Sequence, residues 1–491
     1  MEHKLRETLE REIKLTAGPR FRFPNLSGDP LVPRVFTSTY YETTDHRLAK
    51  CGITLRRRVE HKKGLWQLKL PSGPARLELE IRGGPFSPPE VFKDLLLALL
   101  RGKALLPVAK LRTQRTGVRV QNVEGALADV VLDRVVVLDK GRTLQRFSEI
   151  EIELVSGDET ILTQIEAALR SAGAQDGDPR PKIFKALELS FDKERSEVPP
   201  LAPPVDHLKV KLQNQVAEIL LHDPGTRFGK DPEELHQMRV ATRRYRALLR
   251  AARPLLAMEW GDNLRAEIGW LGGILGQVRD YDVLLQHLYA EATSLPTPDR
   301  QAFERVLAVL ETQRSIARGA MLDALRSGRY LHLLNQLEDA THHPSVGLSH
   351  VSLQDIAIKE FKKLRRAIDK KSSECSDQDL HLIRIQAKRA RYAAELAETA
   401  VGKPATRFIR QAKILQDLLG EHQDAVVTEQ RLRELIRTSR GVKAAFAVGQ
   451  VVERLRARRR RLRETFPQQW GKLKKRAREA WPQPPSKSPG F

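Results

Sequence analysis

The chain has 491 residues, 41% of them apolar and 30% charged, and carries a formal net charge of +23. That size and balance allow two or three domains with buried cores and exclude a chain disordered throughout, while the basic excess points to an anionic partner without bearing on fold. Cys51 and Cys375 lie far apart and outside any C-x-x-C pair, which excludes a disulfide framework and a cysteine zinc site.

The chain opens Met1-Glu2-His3-Lys4, with charge where a secretory signal needs an apolar stretch, and the greasy run Leu95 to Leu100 is far too short to span a bilayer. The expected location is therefore the cytoplasm, with no membrane partner. From Arg11 to about Leu154, short alternating segments are separated by Gly, Pro and Ser, the period of half-buried strands. Alternation puts Glu10, Glu12 and Lys14 on one face and Leu9, Arg11, Ile13 and Leu15 on the other. Arg56 and Arg58 oppose Leu55 and Val59, Glu78 and Glu80 oppose Leu77, Leu79 and Ile81, and Glu149, Glu151 and Glu153 oppose Ile150, Ile152 and Leu154. One such strand is simply amphipathic, its charges in water. Several together, acidic and basic, predict a barrel with a charged lumen and an outer cover supplied by Val91–Leu100 and Ile161–Leu169. Carboxylates suit Mg²⁺ or Mn²⁺ and cationic side chains suit phosphate oxygens, so metal-bound polyphosphate is the expected cargo.

Glu10-x-Glu12-x-Lys14, Leu55-Arg56-Arg-Arg58, Trp66-Gln-Leu68-Lys69 and Glu149-Ile-Glu151-Ile-Glu153 together resemble the CYTH family, the triphosphate tunnel metalloenzymes, over about residues 1–195. The resemblance implies an α+β fold built on an antiparallel β-barrel tunnel. It also implies that Glu10, Glu12, Glu149 and Glu151 hold Mg²⁺ or Mn²⁺, with Glu80, Asp133 and Glu153 as further acidic contributors. Lys14, Arg56, Arg58, Lys69, Arg112 or Arg115, and Lys182 would grip the triphosphate. The implied reaction is metal-assisted hydrolysis of a terminal phosphoanhydride, with Glu10, Glu12, Lys14, Glu149 and Glu151 as the catalytic set. Two positions depart from the family pattern: Glu42 follows Tyr40-Tyr41 where Asp is usual, and Pro181 precedes Lys182 where Ser is common.

The proline-rich stretch within residues 196–204 reads as an extended linker. Beyond it, to about Trp481, Leu, Ala, Arg and Glu recur at helical spacing, and residues 482–491 read as a disordered tail. The basic excess lies mainly in this half: 51 Lys and Arg stand against 34 Asp and Glu after residue 200, compared with 34 against 28 before it.

The helical half repeats itself. His236-Gln-Met-Arg239-Val-Ala-Thr-Arg243-Arg244-Tyr-Arg246 aligns with His381-Leu-Ile-Arg384-Ile-Gln-Ala-Lys388-Arg389-Ala-Arg391, and Leu275-Gly276 through Asp280 aligns in the same order with Leu419-Gly420 through Asp424. Helical spacing puts His236, Arg239, Arg243 and Arg246 on one face, and His381, Arg384, Lys388 and Arg391 on its counterpart. Like charges so spaced repel, so a stripe repeated in both copies predicts a shared anion site rather than a solvated face. These elements resemble the CHAD family, the conserved histidine α-helical domain, over residues 205–481. That resemblance implies two four-helix bundles related by pseudo-two-fold symmetry and a surface that binds inorganic polyphosphate; in the second copy Gln423 and Val426 replace Arg279 and Asp282.

Gly225 to Lys230 is not a phosphate loop, because its spacing is one residue short and Asp231 stands where Ser or Thr is needed. The basic runs Arg454–Arg463 and Lys472–Arg478 lack the aromatic platforms of single-strand binders, which argues against nucleic acid. The expected function is hydrolysis of inorganic triphosphate or short polyphosphate, with the helical half holding the polymer and a place of association at polyphosphate granules. A non-catalytic polyphosphate scaffold, and an enzyme for thiamine triphosphate or ATP of the adenylate cyclase type, are the alternatives. Nothing in the sequence sets the oligomeric state.

Overall fold

The computed structural model describes residues 5–190, 198–347, 351–370, 375–438 and 441–481. The expected tail at 482–491 and the first part of the expected linker lie outside these residues. The chain divides into two compact units, the first of residues up to 194 together with Asp223–Phe228 and the second of the remainder.

In the first unit the strands are β1 (Arg6–Glu10), β2 (Glu12–Ala17), β3 (Gly28–Pro30), β4 (Arg34–Glu42), β5 (Thr54–Glu60), β6 (Lys63–Ser72), β7 (Ala75–Arg82), β8 (Leu106–Asn122), β9 (Gly125–Asp139), β10 (Arg142–Leu154) and β11 (Ala174–Asp176). Short helices α1 (Arg47–Lys50), α2 (Glu90–Leu95), α3 (Leu97–Leu100), α4 (Thr160–Ser171) and α5 (Lys182–Ala186) punctuate them. All described pairings are antiparallel, and the ladder runs β1-β7-β6-β5-β4-β8-β9-β10-β2-β11, with β3 added to β8. β1 and β2 are successive pieces of one segment broken only at Arg11. The two ends of the ladder therefore lie at neighbouring stretches of chain, and the sheet curls into a tunnel. β1 pairs with β7 and β2 with β10, so the ladder carries a seam there and the expected antiparallel β-barrel tunnel is not a closed barrel.

Both expected covers are helical. α4 lays Leu162, Ile165 and Leu169 on Leu15, Ala128, Val130, Ile150 and Ile152, the apolar faces of β2, β9 and β10. Phe92, Leu96, Ala98 and Leu99, in and around α2 and α3, are completely buried. α5 behaves differently: it packs Ile183 and Phe184 against Tyr40, Leu111, Val135 and Val137, which share the lumen side of their strands, and so brings Lys182 into the charged interior. Gly117 is required where β8 passes β9, since a Cβ there would lie 2.2 Å from the Val130 carbonyl oxygen.

From Pro204 onward the chain is helical: α6 (Pro204–Phe228), α7 (Pro232–Ala251), α8 (Met258–Ala292), α9 (Thr297–Arg326), α10 (Gly328–His342), α11 (Leu353–Asp369), α12 (Asp377–Val401), α13 (Lys403–Thr438) and α14 (Val442–Ala480). The duplicated motifs fall on α7 and α12, and again on α8 and α13, so each repeat supplies four long helices, with α10 added to the first. Local signals fix the starts: Asp231 caps α7 through the Glu233 amide with Pro232 following, and Ser376 and Asp379 form a capping box on α12. The repeats share a core in which Leu288, Phe303 and Leu307 of α8 and α9 pack with Leu432, Ala447 and Val451 of α13 and α14. α7 lies against α12, which brings the two charged stripes together.

Candidate functional site

The tunnel encloses a cavity of about 290 Å³ whose wall is drawn from β1, β4–β10 and α5. Strand alternation decides which charges enter it. Arg34, Phe36, Ser38 and Tyr40 of β4, Arg56 and Arg58 of β5, Gln67 and Lys69 of β6, and Glu78 and Glu80 of β7 all face the lumen. Leu111, Thr113 and Arg115 of β8 do the same, so Arg112, between Leu111 and Thr113, is exposed on the outside. The expectation that allowed Arg112 to bind substrate is corrected by this one-residue parity.

On one wall, Glu10, Glu12 and Glu153 each offer an oxygen within 4.8 Å of the others. Among the described residues this is the set of carboxylates that could share an ion, and its oxygen-only donors fit Mg²⁺ or Mn²⁺. Burial first, and then the charges of Glu151 and Glu10, push Glu153 up to about 7, against the pull of Arg115. Lys69 donates to both Glu10 oxygens at 2.8 and 2.5 Å.

The other expected ligands are already engaged by cations. Lys182 lies 3.1 Å from Asp133, 2.9 Å from Glu149 and 2.5 Å from Glu151, while Lys185 takes the second Glu149 oxygen at 3.0 Å. Arg115 forks onto Asp133 with two 2.8 Å bonds and reaches Glu151 at 2.6 Å. Lys14 sits 3.3 Å from Glu12 and 3.9 Å from Glu151. Glu149 and Glu151 thus stand apart from the Glu10, Glu12 and Glu153 group and support Lys182, Lys185, Arg115 and Lys14, because α5 enters the lumen and delivers two lysines beside them. Pro181 does not disturb Lys182, since as the residue before α5 it gives up no helical hydrogen bond. Glu80 and Glu78 accept from Gln67 at 2.7 and 2.9 Å.

On the wall around β5, Arg56 is tied to Gln67 at 2.8 Å and to the Tyr40 hydroxyl at 3.2 Å. Arg58 lies 3.7 Å above the Phe36 ring, 3.9 Å from Glu60, and its Nε and Nη2 have no hydrogen-bond partner among the described residues. Burial, then Arg56, Arg34 and Arg115, push Arg58 down to about 10. Sequence reasoning missed Arg34, Ser38, Gln67 and Lys185; the first two follow from strand parity once β4 is aligned on Tyr40. Glu42 serves the fold, accepting from the amides of Thr43, Leu48 and Ala49 at 2.7, 3.1 and 2.7 Å and so capping α1.

In the helical unit Arg239 and Arg243 of α7 and Arg384 and Lys388 of α12 line one cavity of about 1000 Å³, with Asp280, Asp424 and Arg431. Arg243, Arg246 and Lys388 continue into a second of about 190 Å³ with Arg250, Arg265 and Arg389. Burial and the neighbouring Arg384, Arg243 and Arg239 push Lys388 down to about 7. The aligned glycines serve the same contact in both repeats: a Cβ on Gly276 would touch Arg239 at 3.5 Å, and one on Gly420 would touch Arg384 at 3.6 Å. Arg239 also reaches Asp280 at 2.9 Å.

The stripes are not identical. Arg391 is buried, lies 3.4 Å from Glu395 and stacks 4.6 Å from the Tyr392 ring, whereas Arg246 lines the smaller cavity. The repeat offset places Glu395 where the first copy has Arg250, so the second copy neutralises the last cation of its own stripe, and Arg389 lines the cavity instead. His236 and His381 line neither cavity; His236 is held down by burial and by Arg279, and His381 Nδ1 is buried without a partner among the described residues.

A charged β-tunnel followed by a duplicated helical module with facing cation stripes defines the class of this molecule as a two-unit tunnel and helical-repeat protein. The sequence matches the CYTH domain over residues 8–178 and the CHAD domain over residues 211–433. Uncharacterised proteins from two strains of Mycobacterium tuberculosis are each 30% identical to it over 496 aligned positions, covering 93% of this chain and 94% of theirs. The chain belongs to this family, in which a CYTH domain precedes a CHAD domain. Among solved structures, PptA from Streptomyces chartreusis is 21% identical, with 55% of this chain and all of that one covered at a TM-score of 0.46. The CHAD domain from the plant Ricinus communis is 24% identical, with 58% and 94% covered at a TM-score of 0.41. Among the described residues no helix is long and apolar enough to cross a membrane.

Proposed function

We propose that the tunnel hydrolyses the terminal phosphoanhydride of inorganic triphosphate or short inorganic polyphosphate, and that the helical unit binds inorganic polyphosphate. The observation that carries the reading is one small cavity lined by Glu10 and Glu153, on which Glu12 converges, and by an under-paired arginine. Mg²⁺ or Mn²⁺ held by Glu10, Glu12 and Glu153 would supply charge neutralisation at the phosphate oxygens and at the attacking water. The chain's own groups do the rest: Arg58 and Arg56 take non-bridging oxygens, while Lys69 holds the Glu10 carboxylate in place in the lumen. Arg115 and Lys182, fixed by Asp133, Glu149 and Glu151, supply positive potential that needs no reorganisation. An inorganic chain suits this lumen better than a nucleotide, because Arg58 covers the Phe36 face on which a base would stack.

The supporting test is phosphate release from tripolyphosphate, ATP and thiamine triphosphate with Mg²⁺ or Mn²⁺. Release from tripolyphosphate is expected, falling ~10³-fold in Glu10→Ala, with the variant's fold checked by circular dichroism. Metal-dependent release from none of the three would leave only the scaffold reading.

A further inference from the structure

We propose that Ser38 is a substrate-binding residue whose hydroxyl donates to the same phosphoryl group that Arg58 holds, gripping it from the wall opposite the metal-binding carboxylates; this rests on the phosphate reading of the tunnel. Ser38 lies in the middle of β4, is 2% exposed and lines the cavity, and its Oγ has no hydrogen-bond partner among the described residues. A buried hydroxyl left unmade is costly, and one aimed into a charged lumen has no packing reason to be there, since alanine would fill the same place without the penalty.

Its surroundings name the partner. In the β4–β5 register Ser38 stands directly across from Arg58, whose Nε and Nη2 are the other unmet donors of that wall. Phe36, two residues before Ser38 on the same face, holds the Arg58 guanidinium at 3.7 Å. The neighbouring cations are occupied: Arg56 by Gln67 and Tyr40, Arg115 by Asp133 and Glu151, and Lys69 by Glu10. A group that satisfies Ser38 and Arg58 together must accept several hydrogen bonds and carry negative charge, which a phosphoryl group with its non-bridging oxygens does.

Topology sets the direction of the grip. In the ladder order, β4 is the strand farthest from the seam between β1 and β2 in either direction, and β5 is its neighbour. Glu10, Glu12 and Glu153 come from β1, β2 and β10, at that seam. The hydroxyl and the arginine therefore face the ion-binding carboxylates across the tunnel, and a phosphate chain between them is held from both sides.

The test compares wild type, Ser38→Ala and Ser38→Cys, the last keeping side-chain size while weakening the donor. The readouts are the melting shift and calorimetric affinity for tripolyphosphate in EDTA, followed by metal-dependent turnover. Both variants should melt at or above the wild-type temperature without ligand, bind tripolyphosphate ~10-fold more weakly and raise KM more than they lower kcat. Unchanged affinity in both variants, with a wild type that binds, overturns the role of Ser38 alone. A wild type that shows neither tripolyphosphate binding nor turnover overturns the phosphate reading of the tunnel and this role with it. Melting temperatures lowered in both variants, with affinity intact, would make Ser38 a structural residue and overturn the proposal.

Discussion

The tunnel and the helical crossing both concentrate buried cations, but they treat them in opposite ways. In the tunnel, burial alone would weaken the charge on Arg115 and Lys182, yet Glu151, Asp133 and Glu149 outweigh it and hold both well above their usual ranges. At the crossing of α7 and α12, burial is joined by mutual repulsion, and Arg239, Arg384 and Lys388 are all pushed down. The first arrangement is a pre-set electrostatic frame, with Arg58 as its under-paired member. The second is a cluster of like charges that Asp280 and Asp424 offset only in part. The difference matches the proposed division of labour, since chemistry needs fixed geometry whereas retention of a polymer needs unspent positive charge.

The sharpest way to break this comparison is to remove the uncompensated charge. Arg239, Arg243, Arg384 and Lys388, all changed to Ala, should weaken long-chain polyphosphate binding by ~100-fold or more and flatten its salt dependence, read by filter retention over a salt series. Tripolyphosphate hydrolysis should survive; equal retention by this variant would return the stripes to the status of a solvated face. Next in size is Asp133→Asn, which leaves Arg115 and Lys182 over a neutral amide. It should cost about 3 kcal/mol in urea unfolding, the scale for breaking a buried pair from one side. A loss near zero would mean that the tunnel does not depend on internal compensation.

A smaller effect separates the two regions by pH. With Lys388 near 7, raising pH from 6 to 8 neutralises it, so polyphosphate affinity should fall several-fold over that window, and Lys388→Arg should flatten the profile. Without ligand the sign is reversed: the folded state binds the proton more weakly than the unfolded chain, so this group's contribution to stability is lost as pH falls through about 7. A binding profile that rises with pH would contradict the crowding of cations at the crossing. Least of all, Arg112→Ala should change tripolyphosphate turnover by less than about twofold, because its side chain stands outside the tunnel wall.

Much was legible before any coordinates. Period-two alternation marked Glu10, Glu12, Arg56, Arg58, Glu78 and Glu80 as one-faced residues, and the duplicated His and Arg motif disclosed the repeat, because both signals are local and each strand or helix carries its own periodicity. What alternation could not say is which charged faces meet or how they divide into partners. Sequence ranked Glu149 and Glu151 ahead of Glu153 as metal ligands; only the arrival of α5, with Lys182 and Lys185, sets the first two apart from Glu153, which is left with Glu10 and Glu12 across the seam. Likewise Arg246 and Arg391 occupy the same motif position, but Glu395 folds one of them inward. Sequence by itself determined the two units, their periods and the supply of charge; tertiary structure decided the pairing, because whether a carboxylate becomes a metal ligand or a counter-ion depends on which residues, distant in the chain, are packed within a few ångströms of it.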